Sequence, residues 1–269
     1  MTNKKSKILE AAISAAVTAG KILCDHANDV MHKAYDTKES LRDIVTPVER
    51  YAEQEIIAKL KHSLPHAAIL TEESGIIRGK RQKTNYWVVD PLDGTVNYIN
   101  HLPFYAVSIA FVENNKPTVG VIYNPLSNEL YYGARTLGVF KNHSRITLTD
   151  KPSSNSLFAV SFSGKQYDPK NRAGEFLTMG MVNDGTMGCL RTGSAAMNLA
   201  YLSEGRLGGC WGKANKWWDI AAGILLAELA GAKINYYITD KQKNLINYMA
   251  TVPSAWNFLA KQVTEDAQR

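Results

Sequence analysis

Cysteine is scarce in this chain: three residues in 269, Cys24, Cys189 and Cys210, with no metal-type spacing among them. A cysteine-based metal site is thereby excluded, and an odd, scattered count is expected to mean reduced, buried thiols in a cytoplasmic protein. No run of about 18 apolar residues exists, so no transmembrane helix and no membrane partner are expected. The opening MTNKKSKILEAAISAAVTAGKIL also lacks the unbroken apolar core of a signal peptide. Glu10 and Ser14 interrupt it, while Ile8, Ala12, Ala15, Ala19 and Leu23 recur at helical spacing. Internal repeats and low-complexity linkers are absent. Concentrated charge is absent too. The net charge is +6, but its one basic cluster, Arg78, Lys80, Arg81 and Lys83, sits in an apparent loop without interleaved aromatics. Nucleic acid is therefore not an expected partner.

What is present is a globular composition, 45% hydrophobic and 21% charged, enough for one large domain or two sharing a core. A first helix is expected from about Lys5 to Met31. A second should start near Thr46, where Thr-Pro-Val-Glu has the form of a capping box with proline in the first turn. HAAILTEES reads as a strand with an acidic end, RGKRQKTN as a polar loop, and YWVVD as a buried strand that stops at Pro91. YAVSIAFVE, PTVGVIY and ELYYGA, separated by asparagine-rich turns, read as a meander. Strands and helices then alternate. A strand near residues 157–162 precedes a helix near 172–182. A helix starts at Ser194, RLGGCW follows, a helix spans Trp217 to Ala230, and INYMATV is the last strand. This pattern implies an α+β half, residues 1–145, and an α/β half, residues 146–269, packed as one unit.

Chemistry concentrates in Asp90-Pro91-Leu92-Asp93-Gly94-Thr95. A buried strand delivers Asp90, and the proline and glycine turn the chain so that Asp93 returns beside it. Two adjacent carboxylates repel unless a cation lies between them. Next to a helix start they suit a hard divalent metal with an anion beside it. Taken alone, the segment is also an ordinary turn. Glu72, in Thr71-Glu72-Glu73-Ser74, ends another apolar run, and Asp219 opens the helix of Trp217-Trp218-Asp219, where it could equally be a cap. Together, Glu72, Asp90, Asp93 and Asp219 could hold two Mg²⁺ ions in the clamp used for phosphoryl hydrolysis.

These segments resemble the inositol monophosphatase family. DPLDGT is similar to its Asp-Pro-(Ile/Leu)-Asp-Gly-Thr motif and WWDIAAG to its Trp-Asp-x-Ala-Ala-Gly signature. TEES resembles Gly-Glu-Glu-Ser, DIVTPVE resembles Asp-x-Val-Thr-x-x-Asp, and GSAAMNLAYLSEGRLGG resembles the Gly-(Ser/Thr)-Ala-Ala helix. The resemblance covers nearly the whole chain in order. It implies a layered αβαβα sandwich and phosphate monoester hydrolysis by a metal-activated water. It implies two or three Mg²⁺ per site, inhibition by Li⁺, and a homodimer, for which the apolar meander could supply the interface. By that resemblance Glu72, Asp90, the Leu92 carbonyl, Asp93 and Asp219 are metal ligands. Glu49 and Thr95 activate water. Gly94 and Thr95 offer N–H groups to phosphate, Ser194 and Ala195 lie on the substrate side, and Lys38 and Asp43 match further family positions.

Two departures stand out. Glu49 occupies a position where the family has aspartate, and it could simply complete the capping box. The stretch Trp211–Lys216 lacks the glutamate that binds inositol hydroxyls in relatives and carries Lys213 and Lys216 instead. The second puts inositol specificity in doubt, and the substrate the resemblance implies is a small sugar or polyol monophosphate, inositol-1-phosphate-like. The alternatives are a nucleotide such as 3′-phosphoadenosine 5′-phosphate, fructose bisphosphate or histidinol phosphate, or a regulatory binding protein on the same fold.

Overall fold

The computed structural model describes residues 2–30, 36–37, 44–77, 79, 85–162, 169–240 and 244–267. Helix α1 (Thr2–Asp25) and the short α2 (Ala27–Val30) precede strands β1 (Asp36–Thr37) and β2 (Ile44–Val45). Helix α3 (Pro47–Ser63) leads into β3 (Ala68–Thr71), β4 (Gly75–Ile77) and β5 (Asn85–Asp93). After the five-residue α4 (Thr95–Ile99) come β6 (Ala106–Glu113), β7 (Lys116–Asn124), β8 (Glu129–Ala134), β9 (Gly138–Lys141) and β10 (Ser144–Arg145). Next are β11 (Phe158–Ser161), α5 (Pro169–Asp184), β12 (Cys189–Leu190), α6 (Ala195–Ser203) and β13 (Gly209–Lys216). The chain closes with α7 (Trp217–Ala230), β14 (Lys233–Asp240), β15 (Leu245–Thr251) and α8 (Trp256–Ala267).

The layers stack as α, β, α, β, α, the mixed α+β sandwich expected from the sequence. An eight-stranded sheet, β10-β9-β8-β7-β6-β5-β3-β4, is covered on one face by α1 and α3 and on the other by α6 and α7. A five-stranded sheet, β12-β11-β13-β15-β14, lies across α6 and α7, and α5 and α8 pack on it from outside. Burial on both faces explains why YWVVD reads as a continuous apolar run. Trp87 and Val89 join the core under α1 and α3, while Val88 points into the core under α6 and α7. On α1, Ile8, Ala12, Ala15, Ala19 and Leu23 are all buried, so the helical spacing marks the face that meets the sheet. The meander turns place Asn114 (φ 50°), Asn115 (φ 62°) and Asn128 (φ 52°) in the left-handed region, which asparagine tolerates better than most residues.

Four expectations change. The first helix ends at Asp25, where the His26 ring reaches back to within 2.9 Å of the Ile22 carbonyl. Met31 lies outside the described residues, as do Arg78, Lys80, Arg81 and Lys83 of the basic loop. Strand β5 does not stop at Pro91 but runs to Asp93. Asp90 pairs with Ser108 and Asp93 with Ala106, so β5 carries one extra residue there, a bulge. A bulge is a place in a sheet where proline's missing N–H is tolerated. Strand β14 was not anticipated. It forms a sheet edge with Tyr236, Tyr237 and Ile238 exposed, and so lacks the in–out alternation that marks a half-buried strand. Finally, Cys189 and Cys210 are buried free thiols, but Cys24 is exposed.

Candidate active site

Strands β3 and β5 run parallel, with Thr71 opposite Val89. The next residue of each chain segment is therefore Glu72 and Asp90, side by side at the same sheet end, where open α/β sheets place their ligands. On the other side of β5, Ser108 is the cross-strand partner of Asp90. Its hydroxyl donates to the Trp218 carbonyl at 3.1 Å. That bond fixes the start of α7 above Asp90 and brings Asp219 to the same end. Asp219 Oδ2 accepts the Lys216 N–H at 2.9 Å, capping the helix. Cap and site residue are thus the same carboxylate.

The bulge shapes the rest. Asp90 Oδ1 accepts the Leu92 N–H at 2.9 Å. Gly94 is left-handed (φ 100°), and a Cβ there would lie 2.7 Å from the Phe104 carbonyl oxygen, so only glycine fits. Asp93 then faces the first turn of α6. Its Oδ2 accepts the Ser194 hydroxyl and the Ala196 N–H, each at 2.6 Å, and the Ala195 N–H also favours its charged form. Ser194 in turn accepts the Met197 N–H at 3.2 Å as the cap of α6. Ser194 and Ala195, expected to face substrate, are thus engaged with Asp93.

Glu49 does both things considered for it. It completes the capping box of α3, with Oε2 accepting the Thr46 N–H at 2.5 Å and Thr46 Oγ1 accepting the Glu49 N–H at 3.2 Å. Its other oxygen accepts the Thr95 hydroxyl at 2.6 Å. That hydroxyl lies 3.3 Å from the Leu92 carbonyl, which retains a second lone pair.

The electrostatics are those of crowded acids. Burial first, then Glu72, Asp93 and Asp219, raise the Asp90 carboxyl well above its usual range. Burial, Asp93 and Glu72 raise Asp219 likewise, against the opposing pull of the Lys216 N–H and ammonium. Burial pushes Asp93 up to about 6 despite its bonds to Ser194 and the α6 backbone. Burial pushes Glu49 up to about 8. An all-oxygen set of mutually repelling carboxylates is matched by a hard divalent cation. Among the described residues, no three His, Cys, Asp or Glu side chains already converge on one point. In this arrangement Asp90, Asp93 and Asp219 each commit one oxygen to a protein donor.

Lys213 and Lys216 are half-buried on β13, and the Lys216 ammonium lies 5.8 Å from the centre of the Trp218 ring. Lys38 and Asp43 lie outside the described residues. Two residues were missed. Asn97 donates through one amide nitrogen to the Phe104 carbonyl (2.6 Å) and the Thr192 carbonyl (2.8 Å), tying the Asp93 turn to the loop before α6. Glu53 accepts from Glu73 and Ser74 in the turn after β3. Asn97 and Glu53 stand close to the segments already singled out, but sequence shows no partner for a single amide or acid.

The profile of the inositol monophosphatase family matches residues 4–268. The chain belongs to that family. It is 36% identical over 230 residues to Nus factor SuhB of Haemophilus influenzae, covering 84% of each chain. It is 35% identical over 232 residues to inositol-1-monophosphatase of Mesorhizobium japonicum, covering 86% of each. The structure of inositol monophosphatase from Anabaena superposes with a TM-score of 0.81 at 30% identity, over 97% of this chain and 96% of that one. Among the described residues, no helix is long and apolar enough to cross a membrane.

Proposed function

We propose that this protein is a Mg²⁺-dependent phosphatase that hydrolyses the phosphate monoester of a small sugar or polyol. The observation that carries the reading is the gathering of Glu72, Asp90, Asp93 and Asp219 at one sheet end, where Asp90 is buried, Asp93 and Asp219 are half-buried, and all three aspartates are pushed toward the neutral form. Mutually repelling acids held together are a stability cost, and a cation-binding role accounts for it. Those four side chains and the Leu92 carbonyl would hold the metal. Bound there, Mg²⁺ supplies a Lewis acid that acidifies water and screens phosphate charge.

The protein's own contributions follow from the hydrogen bonds. Thr95 donates its proton to Glu49, so its oxygen is left as an acceptor that can orient an attacking water. With cations bound to lower its raised pKa, Glu49 would be the base at the end of that pair; its extra methylene relative to aspartate is accommodated by the capping box. The N–H groups of Gly94 and Thr95, at the start of α4, would be offered to phosphate oxygens. Lys216 favours the charged form of Asp219, so the substrate side beside α7 would be more cationic than with glutamate there. Substrates with a second anionic group gain from it.

A panel of phosphomonoesters assayed for phosphate release tests this. Turnover should require Mg²⁺, vanish in EDTA and fall with Li⁺; full turnover in EDTA overturns the metal reading. A second reading, a regulatory binding protein on the same fold, is favoured by relatives that bear the name Nus factor SuhB. It predicts no turnover of any ester in the panel.

A further inference from the structure

Helix α3 carries two buried carboxylates one turn apart. Glu49 serves Thr95; Glu53 has no part in the reading above. It is 1% exposed, and both of its oxygens are used. Oε1 accepts the Ser74 hydroxyl at 2.5 Å and Oε2 accepts the Glu73 N–H at 3.0 Å. Both donors belong to the three-residue turn joining β3 to β4, about twenty positions along the chain. That turn carries Glu72.

The hairpin has bonds of its own. Thr71 Oγ1 donates to the Gly75 carbonyl at 3.3 Å and accepts the Ser74 N–H at 3.2 Å. These shape the turn from within. The β3–β5 pairing sets the level of Glu72 against Asp90, but these internal bonds do not hold the turn itself against tilting away from Asp90, because they move with it. Glu53 reaches it from a different layer, on a helix anchored in the core through Ala52, Ile56 and Leu60. Placing one more buried carboxylate beside Glu49, Glu72 and Glu73 is a poor way to gain stability alone. Placing it there to aim a neighbouring acid is a reason to keep it, since groups that orient metal ligands tune affinity through them.

We propose that Glu53 is a positioning residue, clamping the Glu73–Ser74 backbone so that Glu72 stands beside Asp90 where the divalent cation is held. This rests on the metal reading given above. The test is Mg²⁺ binding measured by titration calorimetry on chelator-stripped protein, beside thermal melting without metal. Glu53→Gln keeps the volume but replaces the two charge-assisted bonds by neutral ones, and it can accept from only one of the two donors while the Ser74 hydroxyl must turn to accept. Ser74→Ala removes one bond and leaves every charge in place.

The Mg²⁺ dissociation constant should rise about tenfold in Glu53→Gln. In Ser74→Ala it should rise by roughly threefold, with the metal-free melting temperature near wild type. At saturating Mg²⁺ both variants should recover kcat to within about threefold, a split that general loss of structure would not give. Should Glu53→Gln fail to fold, Ser74→Ala decides alone. Wild-type binding of Mg²⁺ with unchanged affinity in the folded variants overturns the role of Glu53 only. A wild-type protein that binds no Mg²⁺ overturns the proposed function and this inference with it.

Discussion

Replacing Glu49 with glutamine isolates one charge in the metal-free protein. Glu49 is 2% exposed. Its carboxyl rises from 4.5 to about 8, by burial first, against the hydrogen bonds from Thr95 and Thr46 and with Glu72 and Glu73 adding to the rise. Between those two values the unfolded chain has released the proton while the folded chain keeps it. Folding stability therefore falls as pH rises through the window, and this contribution is fully present below 4.5 and lost above 8. At 1.36 kcal/mol per pH unit the fall is at most on the order of 5 kcal/mol. Glutamine keeps the shape and the bond from Thr95, but it can turn only one acceptor toward two donors, at a pH-independent cost of about 1 kcal/mol for the weakened cap. Urea denaturation of both proteins in EDTA, from pH 5 to 8.5, separates the two effects. The variant should be the less stable at pH 5 and gain on wild type by several kcal/mol as pH rises. Parallel pH profiles would refute the reasoning, because they would mean that Glu49 ionises in the folded state as it does in the unfolded chain.

Further outcomes are expected. Asp93→Asn and Asp219→Asn should lower kcat by about 10²–10⁴-fold with unchanged circular dichroism; near-normal turnover at modest Mg²⁺ would remove them from the site. Asn97→Ala loses both carbonyl bonds and should cost about 2–3 kcal/mol in denaturation experiments. A loss below about 0.5 kcal/mol would show that the amide does not tie the two loops together. Replacing Lys213 and Lys216 together with alanine should raise KM for doubly anionic substrates several-fold while kcat changes less, as when ground-state binding is lost. An unchanged KM would place both ammonium groups outside substrate contact.

The sequence was legible where one signal had one physical cause. The capping box at Thr46 and Glu49 needed only four consecutive residues, and it is present in full. The helical repeat from Ile8 to Leu23 marked a buried face because one sheet covers it. Proline misled at Pro91, since the bulge beside Asp93 removes the need for its N–H. Strand β14 was hidden because an exposed edge imposes no period. Within the site, the sequence could nominate Glu72, Asp90, Asp93 and Asp219 as acids at element ends. It could not show that Ser108 would seat α7 over Asp90 through the Trp218 carbonyl, or that Asn97 would join loops 95 residues apart. Those depend on pairing between distant segments, which no local pattern carries.

The central claim is that these carboxylates exist to hold divalent cations. Anomalous diffraction from crystals soaked in Mn²⁺, a scattering substitute for Mg²⁺, tests it most directly. The account predicts at least one strong peak between Glu72, Asp90 and Asp93, and a second reached by Asp219 when phosphate is also present. Crystals that show no peak at this end of the sheet at millimolar Mn²⁺, with the aspartates still bonded to Leu92, Ser194 and Lys216, would contradict it.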